Sequence, residues 1–172
     1  MKLSEQTIQH ILNLQSEYPV KRSALIPALH VAQEEIGYLP LEIQSEVAML
    51  FGLETNEVHS VVTFYDMFYE HPVGKHLLHV CKNVSCQLRG AGNILQKLCE
   101  KLQVAPHEMS KDGEFTVIPS ECLGACDRAP MMIADTKVIG PILENQIDQI
   151  LDNVKKNSGR PSPTKNVEEY HG

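Results

Sequence analysis

Apolar residues recur at helical spacing along the first seventy or so positions, then give way to short continuous runs after about residue 75. Ile8, Ile11 and Leu12 predict a helix over 4–16, with Ser4 as its cap and Pro19 as its stop. Leu25, Ala28, Leu29, Ala32 and Ile36 share one face of a second helix, 22–36, and Gly37 suits the position just past its end. Pro40 opens a third helix, which carries Ile43, Val47 and Leu50 and stops at Gly52. Thr55 is the expected cap of a fourth, with Val58, Val61, Val62 and Tyr65 at i, i+3, i+4 and i+7. Helices this short hold only by sharing apolar faces, so residues 1–72 read as a helical bundle.

The pattern changes at Pro72-Val-Gly74. His76–Val80 reads as a strand that runs directly into Cys81. Residues 87–103 read as a helix with Ile94, Leu95, Leu98, Cys99 and Leu102 on one face. Lys111-Asp-Gly113 marks a turn, and Phe115–Ile118 a second strand closed by Pro119. Met131–Ala134 and Lys137–Ile139 predict a hairpin through Asp135-Thr136, and 143–156 a last helix. The chain is thus expected to be α+β, with a helical bundle at 1–72 and a βαβββα domain at 73–156. Residues 157–172, rich in Ser, Pro and charge, are expected to be a disordered tail.

A strand, a crossover helix and a second strand normally pair in parallel, which puts the carboxyl ends of both strands on one edge of the sheet. Cys81-Lys-Asn-Val-Ser-Cys86 follows the first strand, and Glu121-Cys-Leu-Gly-Ala-Cys126 follows the second. Topology therefore brings the two cysteine pairs together as one four-thiolate site. Structural zinc and iron–sulfur clusters both use such pairs, and the spacing leaves the choice open. Structural disulfides fit less well, since only five cysteines occur in 172 residues and the start lacks the apolar stretch of a signal peptide. A thiol oxidoreductase is disfavoured because no C-x-x-C is present. Cys99 reads as a core thiol. His76 and His79, three apart on a strand, face opposite sides and do not make a metal pair. Phe64, Tyr65, Phe68 and Tyr69 read as packing between bundle and second domain, with some left for a partner.

Charge and motifs narrow the function further. With 22 acidic and 15 basic residues the net charge is -7, and no basic stripe is present to neutralise phosphates, so nucleic acid is not an expected partner. No apolar run approaches the roughly 20 residues needed to insert in a membrane. No G-x-G-x-x-G follows a strand, so the chain is not expected to bind NADH or flavin alone.

Ser60-Val-Val-Thr-Phe-Tyr65, Pro72-Val-Gly74, Val80-Cys81 with Cys86, and Glu121-Cys-Leu-Gly-Ala-Cys126 followed by Ala129-Pro130 resemble, in order, the E-subunit family of respiratory NADH:quinone oxidoreductase (complex I). The resemblance covers about residues 5–156. It implies a thioredoxin-like domain holding one [2Fe-2S] cluster on Cys81, Cys86, Cys122 and Cys126. It also implies an electron-transfer role, with NADH and FMN bound by a partner flavoprotein (NuoF-like) among the other peripheral-arm subunits. The chain would then be a cytoplasmic subunit, peripheral to the inner face of the plasma membrane through its complex and inactive alone. Related subunits of NAD-linked hydrogenases and formate dehydrogenases share these motifs, and a zinc-stapled interaction module is the reading from another class. In a cluster site, Gly90, Gly92 and Gly124 would let N–H groups approach the sulfurs. Lys82, Arg89 and Arg128 would raise the potential and Glu121 and Asp127 lower it, although Lys82 and Asp127 read as solvated loop charges.

Overall fold

In the computed structural model, residues 1–156 are described, and the expected disordered tail at 157–172 lies outside them. The described residues contain seven α-helices and four strands, divided into two units between Pro72 and Val73.

The first unit holds α1 (Glu5–Glu17), α2 (Leu25–Ile36), α3 (Leu41–Phe51) and α4 (Thr55–Phe64). Ser4 caps α1 by accepting from the Thr7 N–H at 3.2 Å. The turn ahead of α2, Lys21–Ala24, winds as a 3₁₀ helix, so the α-helix starts later than the apolar spacing suggests. Thr55 is not the cap of α4. Glu54 takes that place, and its backbone N–H in turn donates to the Glu57 carboxylate at 3.1 Å. A carboxylate accepts from the helix N–H groups as a hydroxyl does, and its charge suits the positive end of the helix.

Ile11, Leu29, Leu39, Ile43, Val47, Val58 and Val62 are buried together in the bundle core. Two glutamines tie its loops. Buried Gln44 donates to the Leu39 carbonyl at 2.7 Å and meets His59 Nδ1 at 3.0 Å. Gln33 donates to the Met67 carbonyl and accepts from the Tyr69 N–H, holding the segment after α4. Of the aromatic group, Phe68 joins the core, Tyr65 packs edge-on to it, and Phe64 is 78% exposed.

The second unit holds β1 (His76–Cys81), α5 (Val84–Leu88), α6 (Ala91–Leu102), β2 (Phe115–Ser120), β3 (Met132–Ala134), β4 (Lys137–Ile139) and α7 (Ile147–Lys155). The sheet order is β2-β1-β3-β4. β1 and β2 are parallel, with Leu78 opposite Val117 and Cys81 opposite Ser120, and the other two pairings are antiparallel. Alternation puts Leu78, Val80, Phe115, Val117, Met132 and Ala134 in one core with Ile94 and Leu98 of α6 and Ile147 and Val154 of α7.

Three elements differ from expectation. The helix read over 87–103 is two helices, α5 and α6, broken at Arg89-Gly90, where Gly90 adopts φ +89°. Pro119 does not close β2 but lies inside it. The Ser120 carbonyl accepts from the Lys82 N–H across the β1 side, so the adjacent Pro119 nitrogen faces away from β1, where no ladder bond is lost. The last helix begins at Ile147, after a 3₁₀ turn at Glu144–Gln146.

The β3–β4 turn is anchored by β1. Asp135, at φ +56°, accepts from the Leu77 N–H at 3.0 Å and meets Nδ1 of fully buried His76 at 2.8 Å. His79 instead meets Ser120 Oγ at 3.0 Å.

Candidate metal centre

Cys81 is the last residue of β1, and Cys86 sits in α5, the short helix that follows. Asn83 caps that helix with its side-chain oxygen on the Val84 N–H at 2.9 Å. Cys122 and Cys126 follow β2 on the loop that leads to β3, with Cys126 opening a 3₁₀ turn. Both loops therefore leave the same end of the parallel pair.

They also touch. Cys81, Cys86, Ala91, Ala129 and Met131 are buried as one small cluster, against which Leu123 and Ala125 pack. The Lys82 N–H donates to the Ser120 carbonyl at 2.9 Å, and the Lys82 ammonium pairs with Glu121 at 3.1 Å across the two loops. The Cys81 N–H donates to the Met131 carbonyl at 3.2 Å. Gly140 fits tightly against the segment that leads into β3: a Cβ there would lie 2.4 Å from the Arg128 carbonyl oxygen, so this position requires glycine.

The two pairs differ in exposure. Cys81 and Cys86 are 2% and 1% exposed, whereas Cys122 and Cys126 are open to solvent with their sulfurs 3.7 Å apart. Among the described residues no three Cys, His, Asp or Glu side chains are grouped closely enough to hold an ion as they stand, and the thiols form two couples.

Electrostatics favour negative charge on Cys81, one member of the buried couple. Burial pushes the Cys81 thiol up, but the backbone N–H groups of Asn83 and Leu123 and the Cys86 thiol hydrogen-bond its sulfur and bring it below the ordinary thiol range. Cys86 is pushed up by burial and by the Cys81 thiolate, with the Met131 N–H acting the other way. Cys126 is pushed up by its bond to Cys122, against which the Ser85 hydroxyl donates. Ser85 belongs to the first loop and Cys126 to the second, so this contact also crosses the site.

Sequence reasoning missed these donors. It named Gly90, Gly92 and Gly124, but the N–H groups on the buried sulfurs belong to Asn83, Leu123 and Met131. Gly90 instead takes the left-handed position that caps α6, and Gly92 lies against the Gln87 side chain. Gly124, at φ +82°, turns the chain between Cys122 and Cys126. No side-chain pattern marks a backbone donor, so only the fold reveals them. Cys99 packs against the second core half-buried, and burial pushes its thiol up.

Four thiols at one strand end, with N–H donors already aimed at the buried pair, fit an anionic cluster that takes four cysteine ligands.

Comparison with known proteins agrees. The chain is 39% identical over 140 residues to an E subunit of the NADH-quinone oxidoreductase of Rhizobium meliloti, covering 81% of this chain and 83% of that one. It is 33% identical over 149 residues to the HndA subunit of the NADP-reducing hydrogenase of Solidesulfovibrio fructosivorans, covering 87% and 85%. Its fold matches part of an air-oxidised NAD+-reducing [NiFe]-hydrogenase with a TM-score of 0.64 at 22% identity, over 76% of this chain and 22% of that chain. The model of the thioredoxin-like [2Fe-2S] ferredoxins matches residues 11–155. That match decides between zinc and iron–sulfur: the chain belongs to the thioredoxin-like [2Fe-2S] ferredoxin family and is an electron-transfer subunit.

Proposed function

We propose that the chain is the electron-carrying E subunit of an NADH:quinone oxidoreductase, with Cys81, Cys86, Cys122 and Cys126 as the ligands of its one [2Fe-2S] cluster. The observation that carries the ligand set is the convergence of both cysteine loops on one end of the parallel β1–β2 pair. When bound, the cluster supplies reversible storage of one electron. The chain's own residues hold it and set its surroundings. Asn83, Leu123 and Met131 direct N–H groups at sulfur, which offsets the negative charge gained on reduction. The Cys81 side is sealed from water by Ala91, Ala129 and Met131, while the Cys122 side faces solvent.

The electrons come from a partner. NADH and FMN belong to a flavoprotein subunit, which converts hydride, a two-electron donor, into single electrons. Residues 1–72 dock the chain on that partner, and exposed Phe64 and Met67 at the end of α4 supply apolar contact area. Among the described residues no helix is long and apolar enough to cross a membrane, which suits a peripheral subunit held at the inner face of the plasma membrane by its complex. A second reading, the equivalent subunit of an NAD(P)-linked hydrogenase, is favoured by the 33% identity to HndA.

Purification of the tagged chain with its natural partners, followed by mass spectrometry, separates the two. A co-purifying flavoprotein together with quinone-reducing membrane subunits supports the first. A nickel- or iron-hydrogenase subunit in their place overturns it. EPR of the reduced complex should show a [2Fe-2S] signal that is abolished or shifted in Cys122→Ser, and an unchanged signal would overturn the ligand set.

A further inference from the structure

The exposed thiol couple carries chemistry of its own. Cys122 and Cys126 are both solvent-exposed, their sulfurs are in van der Waals contact at 3.7 Å, and the loop between them turns at left-handed Gly124. A disulfide bond is about 2.05 Å long, so a small closing of this loop joins the sulfurs. The turn itself has room to adjust, since an added Cβ at Gly124 would meet no atom within 4 Å. The other three thiols differ. Cys81 and Cys86 are 2% and 1% exposed beneath Met131 and Leu123, out of reach of an oxidant in solution. Cys99 is half-buried on α6 against the second core, on a different element from the other four.

We propose that Cys122 and Cys126 are a redox modification site: before the cluster is loaded they form a reversible disulfide that closes the exposed half of the site. The oxidant class is a low-molecular-weight disulfide such as glutathione disulfide. The first cysteine thiolate attacks it, forming a mixed disulfide and releasing one glutathione. The second thiolate then displaces the other glutathione. One S–S bond forms in the protein and one is broken in the reagent. Two thiol protons are released and taken up by the two glutathione thiolates, so the protein pair loses two electrons and glutathione disulfide gains them. Thiolate ligands are needed on both loops, so the oxidised chain keeps the buried couple ready but cannot accept iron and sulfide until it is reduced. This blocking consequence rests on the ligand set proposed above, whereas the disulfide itself does not.

The test uses the full chain, purified without its cluster under argon and treated with glutathione disulfide. Free thiols are alkylated and the peptides mapped by mass spectrometry. The expected map links Cys122 to Cys126 and alkylates Cys81, Cys86 and Cys99, and Cys122→Ser yields no intramolecular link. A Cys81–Cys86 link, or five alkylated thiols, overturns the proposal. In a second arm, reduced and oxidised chains are supplied with ferric iron and sulfide and followed by visible absorption. The reduced chain should develop the [2Fe-2S] spectrum and the oxidised chain should not, until dithiothreitol restores it. Equal loading of both chains overturns the blocking role. Failure of the reduced chain to load at all, with the Cys122–Cys126 link still mapped, would instead overturn the ligand set and leave the modification site standing.

Discussion

The two cysteine couples sit at one end of one sheet yet live in different surroundings. Cys81 and Cys86 grow out of a central strand and the capped helix after it, so the fold itself fixes them and buries them. Cys122 and Cys126 lie on a connecting loop whose path is set by one left-handed glycine, and they stay exposed. A site that must be both held and reached benefits from this division. A rigid buried half supplies position and N–H donors. The other half leaves its two thiols at the solvent.

Several substitutions would break or sharpen this contrast. The largest effect is expected from the proposed ligands: Cys→Ser at 81, 86, 122 or 126 should each abolish or shift the reduced-state EPR signal, while Cys99→Ser leaves it unchanged. A normal signal in Cys126→Ser would remove the exposed half from the site. Next comes packing. Met131→Ala empties a fully buried position beside Cys81 and Cys86 and should cost about 2–5 kcal/mol in urea unfolding. Leu123→Ala, on the exposed loop, should cost only about 1 kcal/mol, and equal losses would erase the distinction between the halves. Gly124→Ala meets no steric neighbour but must hold φ +82°, a conformational cost of about 1–2 kcal/mol, read as a shifted EPR spectrum more than a lower melting point. The smallest effect belongs to Lys82→Ala. The ion pair with Glu121 spans the two loops but is exposed at both ends, so its loss should change stability by less than about 1 kcal/mol and vanish at high salt.

The parallel pairing of β1 and β2 was legible because a strand–helix–strand order leaves few alternatives, and with it came the placing of both cysteine loops. The helix faces were legible too: Ile94, Leu95, Leu98, Cys99 and Leu102 all pack on the second core, as their spacing predicts. Boundaries were less so. The apolar period runs on through Gly90, and only the left-handed turn there shows that α5 is separate and that Cys86 belongs to it. Pro119 looks like a stop until the sheet order shows its strand at an edge. The contrast in burial was illegible, because Cys86 and Cys122 sit in equally polar, glycine-near sequence and only the covering by Ala91, Ala129 and Met131 separates them. Gln33 and Gln44 illustrate the same gap. Their amides satisfy distant carbonyls and N–H groups that no local pattern identifies.

Pro119 has a further consequence. A sheet edge normally offers a row of free N–H and C=O groups on which another chain can polymerise. Here the outer side of β2 has no N–H at Pro119, and its Phe115 and Val117 carbonyls already accept from the Ser110 and His107 N–H groups. The opposite edge, β4, is only three residues long and starts with Lys137. Neither margin is a template for strand addition, so aggregation through this sheet is suppressed during the interval between synthesis and assembly. For the same reason, a partner of this unit finds little backbone ladder to extend at β2 and only a three-residue edge at β4.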